Sequence, residues 1–139
     1  MDLVESISRA LEAGGHPDVV SVYLFGSHAE GRAHRESDVD IGVLFDHAAL
    51  PTRKARFDRS LKLAADLRAA SSSERIDVVV LNDAPPLLGR RIVTEGVRLD
   101  CSDSEADHAY VRDIQLRAAD IQPFLERMRR IKLEALAPR

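Results

Sequence analysis

Leu24-Phe25-Gly26-Ser27-His28-Ala29-Glu30-Gly31-Arg32-Ala33, followed after three residues by Ser37-Asp38-Val39-Asp40-Ile41-Gly42-Val43, is the stretch on which the fold turns. Upstream of Gly26, Val19 to Phe25 is β-branched and aromatic with no polar break except Ser21, as a strand buried on both faces would be. Gly26 ends it. After a polar run to Ser37, Val39, Ile41 and Val43 alternate with Asp38, Asp40 and Gly42 across Asp38 to Phe45. This predicts a second strand with one apolar face and two acids on the other. The link between the two strands is too short for a crossover helix.

Working outward, Leu3, Val4, Ile7 and Leu11 recur at helical spacing from Asp2 to Ala13, and Gly14-Gly15 with Pro17 stops them. Pro51 opens a helix whose shared face is read as Phe57, Leu61, Ala64, Ala65 and Leu67, with basic residues on the exposed side. Arg75 to Leu81, built around Val78-Val79-Val80, is the third strand. Leu87 to Glu95 is a short helix ended by Gly96, Val97 to Cys101 a last short strand, and Ser104 to about Ala135 helical apart from an interruption at Pro123. The order predicts an α/β (α+β) fold, a mixed β-sheet flanked by helices with a C-terminal helix. The 139 residues form one domain, with its core over 19–101 and a C-terminal helical segment over 104–135.

Composition excludes several classes. Hydrophobic residues at 45% and charged residues at 31% exclude a disordered chain, and no apolar run approaches the ~20 residues of a membrane span. Lys and Arg total 20 against 23 Asp and Glu, so a net charge of -3 offers no global field for a polyanion, and nucleic acid is not an expected partner. The lone Cys101 excludes an internal disulfide and a thiolate metal cage, and a helical pattern occupies the place of a signal peptide. The cytoplasm is the expected compartment.

Asp38 and Asp40 leave the same face of a strand roughly 6 to 7 Å apart, where each raises the other's pKa unless a cation intervenes, and hard carboxylate oxygens suit Mg²⁺. The competing reading is a pair of solvent-facing acids on an edge strand. Asp77 opens a valine-rich strand, where a carboxylate has no packing purpose. If that strand lies beside the second, Asp77 closes a three-carboxylate cluster of the kind that holds two metal ions for phosphoryl or nucleotidyl transfer. Otherwise it reaches water or pairs with Arg75. Ser27-His28-Ala29-Glu30 fits a capping box that would point backbone N–H groups at the aspartates, a phosphate-binding arrangement, or else forms an ordinary helix cap. His28, His34 and His47 read as solvated loop residues, Cys101 as a small buried hydrophobe, and Tyr110 as a half-packed helix residue.

Taken together, Gly26-Ser27, Asp38-x-Asp40 and Asp77 in this order resemble the signature of the DNA polymerase β nucleotidyltransferase superfamily, and within it the minimal nucleotidyltransferases. Arg75-Ile76-Asp77-Val78-Val79-Val80-Leu81-Asn82, with Pro85-Pro86-Leu87-Leu88 through Glu95-Gly96-Val97-Arg98-Leu99, resembles the second half of that domain in MntA-type antitoxins. The resemblance covers about residues 19 to 101. It implies a polymerase-β-like nucleotidyltransferase fold, with Asp38 and Asp40 ligating two Mg²⁺ ions (Mn²⁺ as a substitute), Asp77 completing the catalytic metal site, and Gly26, Ser27 and Ser37 binding the nucleotide. Its substrate would be ATP. An acceptor hydroxyl would attack the α-phosphorus and release pyrophosphate. In the antitoxins the acceptor is a tyrosine of a HEPN-domain ribonuclease toxin, which AMP transfer neutralises. Glu30 stands where many relatives carry Arg, which leaves Arg32 and Arg35 as nearby substitutes for a phosphate contact.

Two other functions fit the same pattern: transfer to a small aminoglycoside-like hydroxyl, and an antitoxin that masks its toxin by binding alone. Three converging carboxylates argue against the second, and a chain with little room for an acceptor domain argues that a partner protein supplies the hydroxyl. Val111, Ile114, Ala118, Ile121, Leu125 and Met128 make an apolar seam beside the basic Arg127, Arg129, Arg130 and Lys132. Before Pro123 this seam is expected to pack on the domain's own sheet. Beyond it, Phe124, Leu125, Met128 and Ile131 need another surface, which a toxin subunit would provide.

Overall fold

A computed structural model describes residues 2–31 and 38–137. Its elements in chain order are α1 (Leu3–Glu12), β1 (Val19–Phe25), β2 (Val39–Phe45), α2 (Arg53–Ser71), β3 (Ile76–Val80), a single 3₁₀ turn at Leu81–Asp83, α3 (Pro86–Glu95), β4 (Val97–Cys101) and α4 (Ser104–Leu136). The four strands form one mixed sheet in the order β3-β2-β1-β4. β1 runs antiparallel to β2 and β4, while β2 and β3 run parallel. The parallel pair follows from chain length, since α2 is long enough to carry the chain back to the starting edge and the β1–β2 link is not.

Each side of the sheet carries its own core. Val22, Leu24, Val39, Ile41, Val43 and Ile76 pack with Ile7 and Leu11 of α1 and Leu63 and Leu67 of α2. On the other side Val20, Tyr23 and Leu44 meet Leu81 and Ile92, and Tyr110 of α4 packs against them. The helices start where the sequence supplies an acceptor for their free N–H groups. Asp2 takes the Glu5 N–H at 2.8 Å, Thr52 the Ala55 N–H at 3.1 Å and Asp103 the Ala106 N–H at 3.1 Å. At the far end of β3, Asn82 acts as an extra rung, its amide accepting the Phe45 N–H at 2.9 Å and donating to the Phe45 carbonyl at 3.0 Å.

Three expectations are corrected. The buried stripe of α2 is Arg56, Ser60, Leu63, Ala64 and Leu67, so Phe57 and Leu61 face outward, 57% and 56% exposed. A charge can occupy the apolar stripe because each nitrogen of the Arg56 guanidinium has an acceptor: it donates to both oxygens of Asp83, at 3.0 and 2.8 Å, and to the Leu50 carbonyl at 2.9 Å. Pro123 does not interrupt α4, which is a single helix from Ser104 to Leu136. The ring removes one N–H, and a helix already nucleated upstream can continue past that loss. Cys101 is half-buried at the end of edge strand β4 rather than enclosed.

The start of α4 is tied to the sheet by a buried carboxylate. Asp107, 1% exposed, accepts the Tyr23 hydroxyl at 2.8 Å and Arg98 Nη1 at 3.0 Å. Burial and the neighbouring Asp107 charge push the Tyr23 phenol well above its ordinary pKa. Tyr110 is half-packed as expected; its hydroxyl donates to the Leu81 carbonyl at 3.0 Å, and burial pushes its pKa up to about 12. Ile114 and Ala118 are buried, whereas Phe124, Leu125, Met128, Ile131, Leu133 and Leu136 are all exposed. Among the described residues no helix is long and apolar enough to cross a membrane.

Candidate active site

The antiparallel register sets Phe25, the last residue of β1, opposite Asp40, and the parallel register sets Asp40 beside Asp77. The end of β1 and the starts of β2 and β3 therefore meet at one edge of the sheet. Asp40 and Asp77 lie on the same face, laterally adjacent at the ~4.8 Å spacing of neighbouring strands. This is the side that carries α3, because Gly42, two residues on, lies directly under Ile92 and Leu81.

Gly26 turns the chain away from β1 at φ +78°, a left-handed conformation that a side chain strains. A Cβ there would be driven into Asp40 Oδ2, so the glycine is what allows the carboxylate to lie against the backbone. Gly26 to Gly31 form a tight turn closed by the Glu30 N–H on the Gly26 carbonyl at 3.1 Å. Ser27 and His28 lie in this turn, half-buried. It is one helix-like turn rather than a helix.

Asp40 is the electrostatic focus of the group. Burial first, and then the charges of Asp77 and Asp38, push its pKa above the ordinary carboxylate value, with His28 partly opposing them. Asp77 is exposed. Asp38 is less tightly gathered than its spacing predicts. It precedes the first ladder residue of β2, and its carboxylate lies 3.9 Å from Arg75 Nη1, both side chains more than half exposed. Arg75, the alternative partner for Asp77, thus lies beside Asp38. Among the described residues no three His, Cys, Asp or Glu side chains are already grouped so as to hold a metal ion. The donor chemistry nevertheless suits a hard divalent cation, since the neighbouring Asp77 and Asp38 charges that help to raise the Asp40 pKa would also attract a cation. Ser37, His34, Arg32 and Arg35 lie outside the described residues.

Sequence reasoning gives α3 no part in this site, yet the structure brings it there. Leu88, Arg91 and Glu95 share one face of α3 and, with Phe25, Gly26 and Glu30, line a cavity of about 150 Å³ beside the Gly26 turn. Arg91 lies 4.0 Å from the Glu30 carboxylate and 3.1 Å from that of Glu95. A cation therefore stands next to the loop at Glu30. The i, i+3, i+7 spacing of the three α3 residues was visible in the sequence; its direction was not.

Comparison with known proteins agrees with this architecture. Residues 5–105 match the family described as polymerase beta, nucleotidyltransferase. The chain is 37% identical over 83 residues to the protein adenylyltransferase MntA of Shewanella oneidensis, a match that covers 60% of this chain and 55% of that protein. It thus spans little more than half the length of that relative. Among solved structures, a toxin–antitoxin crystal structure with AMP-PNP matches with a TM-score of 0.63 at 29% identity, over 90% of this chain and 97% of the other. The toxin–antitoxin MntA-HepT matches with a TM-score of 0.57 at 26% identity, over 91% of this chain and 96% of that one. With the family matched over most of its length and the sheet, turn and aspartates in the order just described, the chain belongs to the polymerase β nucleotidyltransferase family.

Proposed function

We propose that this protein transfers AMP from ATP to a tyrosine hydroxyl of a cognate HEPN-domain toxin and neutralises it, acting as an antitoxin in the cytoplasm. The observation that carries the reading is the lateral pairing of Asp40 and Asp77 beside the Gly26 turn. A domain kept only for binding has no use for a half-buried carboxylate held beside a second one. The name of the Shewanella relative and the AMP-PNP in the similar toxin–antitoxin structure support the same donor and the same class of partner.

In this reading Asp38, Asp40 and Asp77 would hold Mg²⁺ or Mn²⁺, two ions in all, which would neutralise the triphosphate and the departing pyrophosphate. Asp38 would leave Arg75 to join the other two. The Gly26 turn lets the triphosphate approach the backbone, and Ser27 adds a hydroxyl donor, with Ser37 assigned to the same task. Asp77, exposed at the sheet edge, accepts the proton of the acceptor hydroxyl as its oxygen bonds to the α-phosphorus and the bond to pyrophosphate breaks. The test is to incubate the protein with its neighbouring-gene toxin and ATP labelled at either the α- or the γ-phosphate. Label from the α position alone should appear on a toxin tyrosine, and Asp40→Asn should abolish it. Transfer of γ-label, or unchanged transfer by Asp40→Asn, would overturn the assignment.

A further inference from the structure

We propose that the open edge of the sheet along β3 is the acceptor-docking groove, in which an extended, acid-bearing segment of the protein substrate pairs with β3 and delivers its hydroxyl to Asp77. The inference rests on the function proposed above, and it adds where the acceptor lies and what its sequence must carry.

β3 is an edge strand, with β2 on its inner side. The Val39 N–H donates to the Arg75 carbonyl at 2.7 Å, and the register pairs Val39 with Ile76. In a parallel ladder only alternate residues bond to a given neighbour, so Asp77 and Val79 turn their backbone groups to β2, and Ile76, Val78 and Val80 turn theirs outward. Arg68 Nη2 confirms the alternation by donating to the Ile76 carbonyl from outside at 2.7 Å. Such an edge is a template for another strand. Here it lies at the bottom of a groove of about 420 Å³ between α2 and the start of α3, with Asp77 in its lining. The walls are apolar, Phe57 and Leu61 on one side and Leu88 on the other. Phe57 and Leu61 are the two large apolar residues that α2 leaves facing out, at no benefit to the domain's own core.

Charge identifies the occupant. Asp83, in the same groove, is neutralised by its two-point pairing with Arg56, which leaves Arg53 and Arg68 against Asp77 alone and the groove with a surplus of one positive charge. Arg68 Nε is buried without a hydrogen-bond partner among the described residues, a donor still in need of an acceptor. Arg68 sits at the Asp77 end of β3 through its bond to Ile76, and Arg53 lies one turn from Arg56 at the Asp83 end. A second copy of this chain pairing antiparallel along the same edge would set Arg68 against Arg53 of the other copy, cation against cation. An acidic segment meets no such repulsion. The rise of a strand from Asp77 to Val80 is about 10 Å. An acidic side chain of the acceptor that meets Arg53 therefore lies three or four residues from the modified hydroxyl.

The experiment uses the full chain with both Phe57 and Leu61 changed to Glu, positions exposed enough for the fold to stand, which circular dichroism verifies. KM for the protein acceptor should rise about tenfold or more, with kcat and Mg²⁺-ATP affinity unchanged. Arg53→Glu should raise KM as well, and reversing the acceptor's acidic residue to Lys should restore it. A benzophenone placed at position 57 should cross-link to the acceptor within a few residues of the labelled hydroxyl. Wild-type KM in the double variant, cross-links distant from the labelled residue, or cross-links to a second copy of this chain would each overturn the groove. If the wild-type protein transfers no AMP, the functional reading itself fails and the occupant with it, an outcome distinct from an active protein whose groove variants behave normally.

Discussion

Asp40→Asn should make the protein more stable while removing its activity. Asp40 stands about 5 Å from Asp77 across the parallel ladder and about 7 Å from Asp38 along β2. In a water-like dielectric each pair costs somewhat under about 1 kcal/mol, and salt together with the opposing His28 brings the sum to about 1 kcal/mol. For a chain of this size that corresponds to a rise in Tm of about 3–5 °C in metal-free, low-salt buffer. The pH dependence has a definite sign. Because its pKa is raised on folding, Asp40 binds a proton more tightly in the native chain, so stability falls as pH rises from the ordinary value of 3.8 through the higher native value, and the full penalty persists at neutral pH. Asn carries no such penalty. Calorimetry in EDTA should therefore show the variant melting higher than wild type at neutral pH, with the gap closing below the ordinary carboxylate value. Added Mg²⁺ should raise the wild-type Tm more than that of the variant. A variant less stable than wild type at neutral pH without metal, or a gap independent of pH, would refute the argument that these carboxylates repel.

Gly26→Ala combines a left-handed φ with a Cβ pressed into Asp40 Oδ2, and should cost about 1–3 kcal/mol in urea unfolding while weakening ATP binding. Asp77→Ala should lower AMP transfer by about 10²- to 10⁴-fold, with Mg²⁺-ATP affinity by calorimetry nearly retained; equal losses in both would make Asp77 a binding residue only. Asp107→Ala strands the Tyr23 hydroxyl and the Arg98 guanidinium around a buried void, and should cost about 3–5 kcal/mol by chemical denaturation, far more than loss of the exposed Asp113–Arg117 pair.

The strands are legible in the sequence because burial on both faces leaves few alternatives to Val19–Phe25 and because three successive β-branched residues mark Val78-Val79-Val80, whereas the helices are legible through the spacing of their apolar residues. The adjacency of Asp40 and Asp77 was conditional on β3 lying beside β2, a long-range pairing that no local spacing dictates, and the register supplies it. The facing of α2 is not legible locally because Arg56 is made buriable by Asp83, a partner 27 residues away. Asp38 was placed by strand periodicity, but β2 begins at Val39, so no ladder residue fixes its side chain against the pull of Arg75. The place of Arg91 beside the Gly26 turn depends on how α3 crosses the sheet, which local spacing does not encode.

The continuity of α4 through Pro123 has a thermodynamic corollary. A free helix of the fourteen or so residues beyond that point would be marginal in water, because the first turn carries the unfavourable nucleation step. Here nucleation is already complete upstream, where Asp107, Ile114 and Ala118 are buried, so each later turn needs only to propagate. Among the described residues the distal turns bury no side chain, and so should fray progressively from Leu136 backward. Amide hydrogen exchange should show this as a gradient, with protection falling steadily from Pro123 to the C-terminus rather than in a step, and a partner that covers the apolar side of these turns should flatten the gradient without creating any new helix.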